Sequence, residues 1–166
     1  MRKKAGFTLL EILVVMIIIS IVAGIAALTL NVNQHDRYQT LAKQLANAIT
    51  LAEQEAMLRS ATIGLQINSH AYQFFIFTRN EKSGKNKWMP LNLHWSNQHV
   101  LPDDTKIQLQ ILNVADTVTD EPQLIITPDN NLAPFVILIG KQHETPYYRV
   151  IGKGNGEVTS EQMPTE

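Results

Sequence analysis

Gly6-Phe7-Thr8-Leu9-Leu10-Glu11 follows a basic stub of Arg2, Lys3 and Lys4 and leads into an uncharged run from Ile12 to Leu30. An ordinary secretory signal places its small-residue cleavage site after the apolar core, so the core is discarded. A cut between Gly6 and Phe7 does the reverse, removing the stub and leaving the apolar segment on the mature chain. Residues 12 to 30, if helical at 1.5 Å per residue, span about 28 Å, close to the roughly 30 Å of bilayer hydrocarbon. The basic stub holds the N-terminus in the cytoplasm by the positive-inside bias, so the rest of the chain is expected across the membrane. Glu11 is the anomaly: an acid costs about 2.5–3.5 kcal/mol at the centre of a spanning helix, and less near its end. It calls for a partner. Cleavage before Phe7 gives each subunit an α-ammonium that can pair with a carboxylate of another copy, so the acid becomes useful if subunits stack.

Residues 6–30 resemble the N-terminal region of type IV pilins and pseudopilins, with Gly6 before the cut, Phe7 as first mature residue and Glu11 as the fifth. The resemblance implies a prepilin peptidase that cleaves after Gly6 and methylates the new N-terminus at Phe7. A plain signal anchor, or a signal peptide cut near Gly24-Ile25-Ala26, gives no reason for Glu11 or for the string around it.

The length of 166 residues accommodates one anchor and one modest globular domain. Processing changes the charge: 14 basic and 15 acidic residues become 11 and 15 once Arg2, Lys3 and Lys4 are lost, a formal −4 before the new terminus is counted. A mildly acidic protein is not built for bulk attraction to nucleic acid. The absence of cysteine excludes a disulfide framework and thiolate chemistry.

The helical pattern continues past the apolar run. No proline precedes Pro90, and no glycine lies between Asn33 and Gly64. Leu41, Leu45, Ala48, Ile49, Ala52 and Ala56 recur at three- and four-residue spacing, with Lys43, Gln44, Asn47, Gln54 and Glu55 between them. This predicts one helix from about Phe7 to Arg59, roughly 80 Å long, with two helices broken near Asn31-Val32-Asn33 as the alternative. After Ser60 the period becomes strand-like. Thr62–Ile67 and Tyr72–Phe77, separated by Asn68-Ser69-His70, read as a hairpin. Further strands are expected at Ile107–Leu112, Leu124–Thr127, Phe135–Ile139, Tyr147–Ile151 and around Val158, punctuated by turn formers. Mainly antiparallel sheet follows, with one face on the Leu41–Ala56 stripe. The tail Ser160–Glu166 is expected to fray.

The second half narrows the resemblance. A long helix followed by about a hundred residues of β structure is similar to the H-type minor pseudopilins of type II secretion and their relatives among minor type IV pilins. Leu124-Ile-Ile-Thr-Pro-Asp-Asn-Asn-Leu-Ala-Pro-Phe-Val-Ile-Leu resembles that group's late strand–turn–strand. Tyr148-Arg-Val-Ile-Gly-Lys-Gly-Asn-Gly-Glu-Val resembles its terminal hairpin. Major subunits often carry a proline inside the anchor, where this chain has Leu28. An obvious acidic calcium loop is also missing from the C-terminal region. Both departures favour a minor subunit.

No catalytic constellation emerges. His94 and His99 share a segment with Trp95 and Pro102 and have no third ligand nearby, so neither metal nor cofactor is expected. Gly-x-Ser-x-Gly elbows, phosphate loops and paired acids are absent from the sequence. Asp103-Asp104 reads as a turn or a helix cap. Arg79, Lys82, Lys85 and Lys87 beside Trp88 form a basic loop that is able to grip phosphates while the indole stacks on a base. The favoured reading is a solvated hairpin loop with Trp88 anchored in the core. Arg149 and Lys153 add little, because Glu157 and Glu161 follow.

The expectation is therefore an α+β, pilin-like fold: leader 1–6, membrane half-helix 7–30, amphipathic half-helix 31–60 and a β-rich periplasmic domain 61–166. The resemblance implies a non-enzymatic structural subunit, near the tip of the type II secretion pseudopilus, that aids export of folded proteins across the outer membrane. Its implied partners are the prepilin peptidase/methyltransferase, other major and minor pseudopilins, the inner membrane, and secreted proteins or the outer-membrane secretin. The alternative is a minor type IV pilin that binds DNA for uptake; nucleic acid is the disfavoured partner.

Overall fold

The computed structural model describes residues 9–68, 71–79, 86–111, 121–129 and 131–164, and within the helix the side chains of all but 26–35. Its contacts divide the chain into two units, Met1–Arg37 and Tyr38–Glu166. One helix, α1 (Leu9–Arg59), runs through both and is unbroken at Asn31–Asn33. The absence of proline and of any glycine after Gly24 accounts for that continuity.

In the first unit every large apolar side chain described between Leu9 and Ile25 is exposed, from 45 to 86 %. Ser20 turns its hydroxyl back onto the Met16 carbonyl at 2.8 Å, which satisfies the one hydroxyl of this row within its own helix. Among the described residues no helix is long and apolar enough to cross a membrane. The apolar row with described side chains stops at Ile25, inside the run that carries the anchor expectation.

In the second unit α1 ends on a left-handed residue. Ser60 has φ 49°, its N–H donates to Met57, and the next N–H, of Ala61, donates to Ala56. These are the two closing bonds of a Schellman cap, with serine where glycine is usual. Nine strands follow among the described residues: β1 (Ile63–Ile67), β2 (Ala71–Arg79), β3 (Asn86–Pro90), β4 (His99–Val100), β5 (Thr105–Ile111), β6 (Leu124–Ile126), β7 (Phe135–Lys141), β8 (Tyr148–Gly152) and β9 (Val158–Gln162). They form two antiparallel sheets. The first runs β3-β2-β1-β6 with β4 also on β2, and the second runs β5-β7-β8-β9. The chain thus leaves for the second sheet at β5 and returns to the first at β6.

One apolar core joins the two sheets to the C-terminal half of α1. It takes Leu45, Ile49, Ala52 and Ala56 from the helix, Ile63, Leu65 and Phe74 from the first sheet, and Phe135, Ile137 and Val150 from the second. The expected hairpin forms, with Leu65 opposite Phe74. Alternation sends Ile63, Leu65 and Ile67 inward and Gly64 outward.

Three expectations need correction. The basic loop is shorter than expected: Arg79 ends β2, and Lys87 and Trp88 belong to β3, where Lys87 pairs with Thr78 and Trp88 with Phe77. Trp88 does not enter the core, because its register puts it on the outward face with Phe77. The tail does not fray at Ser160: Ser160 pairs with Val150 in β9, and the Met163 N–H donates to Tyr147 at 2.8 Å.

Candidate functional site

Three regions carry the residues expected to function. The first is the N-terminal string. Gly6 and Phe7 lie outside the described residues, whereas Glu11 is exposed in the first turn of α1. A carboxylate there faces the positive end of the helix macrodipole, which lowers the cost of an acid in an apolar row. Around it Leu9, Leu10, Ile12 and Leu13 are more than half exposed, so this unit presents a hydrophobic rod with one acid near its start.

The second region is the packing stripe. Leu45, Ile49, Ala52 and Ala56 are completely buried and Ala48 nearly so, while Leu41 is partly buried against the same core. Alanines at 48, 52 and 56 let strands approach the helix axis closely, and leucine and isoleucine fill the gaps between them. The predicted stripe missed four buried residues of the helix: Tyr38, Ala42, Ala46 and Glu53. Tyr38 extends the stripe upward, buried, with its ring 5.4 Å from that of Tyr147. Glu53 is 4 % exposed and flanks Ile49 and Ala56, and its Oε1 has no hydrogen-bond partner among the described residues. Burial pushes its carboxyl up to about 6. Like its neighbour Glu55, Glu53 looks in the sequence like the solvent side of an amphipathic pattern, so only the packed structure reveals that it is buried.

The third region is the basic and aromatic surface. Arg79 and Lys87 are exposed, and Lys82 and Lys85 lie outside the described residues. Trp88 is half-buried with its ring tilted 53° against Phe77 at 5.0 Å. A Cβ on Gly64 would meet Trp88 Cζ3 at 2.9 Å and Pro122 Cβ at 2.5 Å, so the indole and the proline lie over that glycine. The indole is a wedge in a surface cluster, unlike the open platform that stacks bases. Arg149 and Lys153 meet Glu161 and Glu157, both at 2.9 Å, in agreement with their expected neutralisation.

The histidines divide between surface and packing. His94 is exposed in a turn held by Ser96, whose buried hydroxyl accepts from the Leu93 N–H at 2.9 Å. His99 stacks on Tyr72 at 4.8 Å and 9°, and burial pushes the Tyr72 phenol up to about 12. Among the described residues no three His, Asp or Glu side chains gather to hold a metal. Asp103-Asp104 form a turn, with Thr105 N–H donating to Pro102 and Gln142 N–H to Asp104. A shallow groove of about 580 Å³ is lined by Pro134, Phe135, Val136, Ile151 and Gly154 at one end of the second sheet. It offers apolar contact and little that is catalytic.

Comparison with known proteins follows this division. Residues 1–27 match the prokaryotic N-terminal methylation motif, and residues 41–156 match the type II transport protein GspH family. The type II secretion system protein H of Pseudomonas aeruginosa is 30 % identical over 155 residues, covering 86 % of each chain. Its counterpart in Escherichia coli K12 is 23 % identical over 143 residues, covering 84 % of this chain and 82 % of the relative. The minor pseudopilin EpsH of the Vibrio cholerae type 2 secretion system has the same fold, with a TM-score of 0.64 at 20 % identity over 78 % of this chain and 97 % of that one. The solution structure of Escherichia coli GspH gives 0.59 at 20 % identity, over 79 % and 90 %.

Proposed function

We infer the role of this chain from its family: it belongs to the GspH family of type II transport proteins, the H-type minor pseudopilins of type II secretion. It is a minor pseudopilin, a structural subunit of the secretion pseudopilus. The observation that carries this is the match of residues 41–156, which spans α1 from Leu41 and the strands β1 to β8.

Finer points are our proposal. The leader is cut between Gly6 and Phe7 and the new terminus is methylated, a reading supported by the methylation motif over residues 1–27. The run Ile12–Leu30 anchors the chain in the inner membrane, with the β domain in the periplasm. That reading is supported by the basic stub and by the exposed apolar side chains of Leu9–Ile25. Glu11 pairs with the Phe7 terminus of a neighbouring subunit, which offsets the cost of an acid in lipid. The mature protein sits near the tip of the fibre and supplies packing and recognition surfaces without catalysis.

Two substitutions test this. Gly6→Val leaves the leader uncut, read as the slower, unprocessed band on a gel; normal processing contradicts the assigned site. Glu11→Leu keeps membrane insertion but impairs incorporation into the fibre, and wild-type assembly and secretion would remove its role. Cross-linking the membrane-bound protein is expected to return other pseudopilins, whereas recovery of pilus-tip proteins and DNA favours an uptake pilus.

A further inference from the structure

The packed half of α1 begins at Tyr38. Asp36 and Arg37 just before it are exposed, Tyr38 is buried, and Ala42, one turn further on, is fully buried. The Tyr38 ring is met by that of Tyr147, tilted 47° to it. Tyr147 stands at the end of the β7–β8 connection, where its N–H donates to Ile139 and its carbonyl accepts from Met163. Its hydroxyl is held from outside: it donates to Glu144 Oε2, while Lys141 Nζ donates to Glu144 Oε1 at 2.8 Å.

The turn is shaped to deliver that carboxylate. The Glu144 N–H donates to the Lys141 carbonyl at 3.2 Å, which closes a four-residue turn whose third residue, His143, has φ 67°. A type II turn requires a positive φ at that position and ordinarily takes glycine there, so a histidine carries backbone strain. Glu144 then lies three residues from each partner, Lys141 before it and Tyr147 after it. The Lys141 ammonium titrates above its ordinary range, chiefly through its hydrogen bond to Glu144 and more weakly through the Tyr147 and Tyr38 phenols, which gathers the four groups into one cluster. Arg149–Glu161 and Lys153–Glu157 pair within the β8–β9 hairpin. Glu144 instead links an exposed lysine to a ring that packs on the helix.

We propose that the β7–β8 turn is a releasable clasp on α1: Glu144, held between Lys141 and Tyr147, keeps the Tyr147 ring over Tyr38 and so sets where the buried part of the helix begins. In the closed state burial starts at Tyr38. In the open state Tyr147 leaves with Glu144, Tyr38 meets water, and burial starts at Ala42. The Lys141–Glu144 pair is exposed to solvent, so breaking it costs little compared with the core beneath. Opening is therefore a local event that leaves both sheets folded. The clasp lies within the second unit and goes beyond the reading of the chain as a pseudopilus subunit.

A microsecond hydroxyl-radical pulse on the detergent-solubilised full chain, read by peptide mass spectrometry, reports the accessibility of each of its four tyrosine rings. In the native chain Tyr147 is labelled, and Tyr38, Tyr72 and Tyr148 are protected in line with their burial. Glu144→Ala raises the labelling of Tyr38 roughly tenfold, as expected for the loss of a hydrogen bond to a charged group, and leaves Tyr72 in the first sheet protected. Tyr147→Phe keeps the ring without its hydroxyl and exposes Tyr38 in the same way. Glu144→Gln retains an acceptor for Tyr147 and gives a smaller rise, and Lys153→Gln, which breaks an exposed pair away from the clasp, gives none. Unchanged labelling of Tyr38 in Glu144→Ala overturns the proposal, as does an equal rise with Lys153→Gln. A parallel rise at Tyr38 and Tyr72 also overturns it, because that marks general loosening of the core instead of release at one turn.

Discussion

In the second sheet the ring of Phe135 lies over Gly152 on the core side, whereas in the first sheet Trp88 and Pro122 lie over Gly64 on the outward side. Both glycines leave room for a large neighbour directly across a strand. A Cβ on Gly152 would come within 1.9 Å of Phe135 Cε1, and one on Gly64 within 2.5 Å of Pro122 Cβ. In the second sheet the device serves stability, because Phe135 is 2 % exposed and belongs to the core. In the first it holds an indole at the surface, where burial gains less. A protein selected only for stability has little use for a glycine that keeps tryptophan on its outer face.

Substitution at the two glycines puts the contrast at risk. Gly152→Ala forces the Phe135 ring out of a packed site, and overpacking of this kind costs about 3 kcal/mol. Thermal unfolding of the detergent-solubilised full chain should show a midpoint lower by roughly 10 °C. Gly64→Ala also meets atoms closer than contact distance, but Trp88 is half-buried and has solvent to move into, so about 1–2 kcal/mol is expected. Fluorescence then distinguishes the sheets. Both tryptophans report on the first: Trp88, in β3, lies against Phe77, and Trp95, in the turn before β4, lies against Phe74. Gly64→Ala should shift the native emission and Gly152→Ala should leave it unchanged. Equal losses of stability with equal emission changes would break the comparison.

The same contrast marks what the sequence could disclose. The helix stripe, the β1–β2 hairpin and the strands of the second sheet were legible because burial on one side imposes a period, as in Phe135-Val136-Ile137-Leu138-Ile139. β3 was not, because Asn86, Lys87 and Pro90 have the composition of a loop. An edge strand tolerates such residues, since it pairs on one side only. Trp88 faces outward through its register with β2, which no local pattern encodes. The strand expected around Val158 runs on as β9 to Gln162, and its extension past Ser160 was missed because that order comes from pairing with β8, whereas the composition is that of a frayed terminus. At the candidate site the string Gly6-Phe7 and Glu11 was readable as a linear pattern, and the methylation motif covers it. Glu53 was hidden because an acid in an amphipathic helix ordinarily faces water, as Glu55 beside it does in part.

Glu53 also offers a perturbation in the helix that both sheets share. Burial raises its folded-state pKa from 4.5 to about 6, so folding favours the protonated carboxyl. The stability contributed by that proton is complete below pH 4.5 and is lost as the pH rises through about 6. Glu53→Gln fixes the neutral form. It should stabilise the chain by about 1 kcal/mol at pH 7.5 and make no difference below the unfolded-state pKa. Denaturant midpoints at several pH values check this, and a gain independent of pH would remove ionisation as its cause. Because one core joins the sheets, tryptophan emission and far-ultraviolet circular dichroism should report the same midpoint shift. Separate midpoints would mean that the two sheets unfold as distinct units.

The smallest effect is expected on the outward face of the second sheet, where Arg149 and Glu161 pair across β8 and β9 at 2.9 Å. Both side chains are substantially exposed, so water and salt screen the pair, and coupling energies for such contacts are about 0.2–1 kcal/mol. A double-mutant cycle with Arg149→Gln and Glu161→Gln should return about 0.5 kcal/mol at low ionic strength and less at high salt. Secretion and fibre incorporation should be unchanged in all three variants, because these charges are already matched within the sheet. If Arg149→Gln impaired assembly, pairing within the sheet would cease to mark this face as merely solvated.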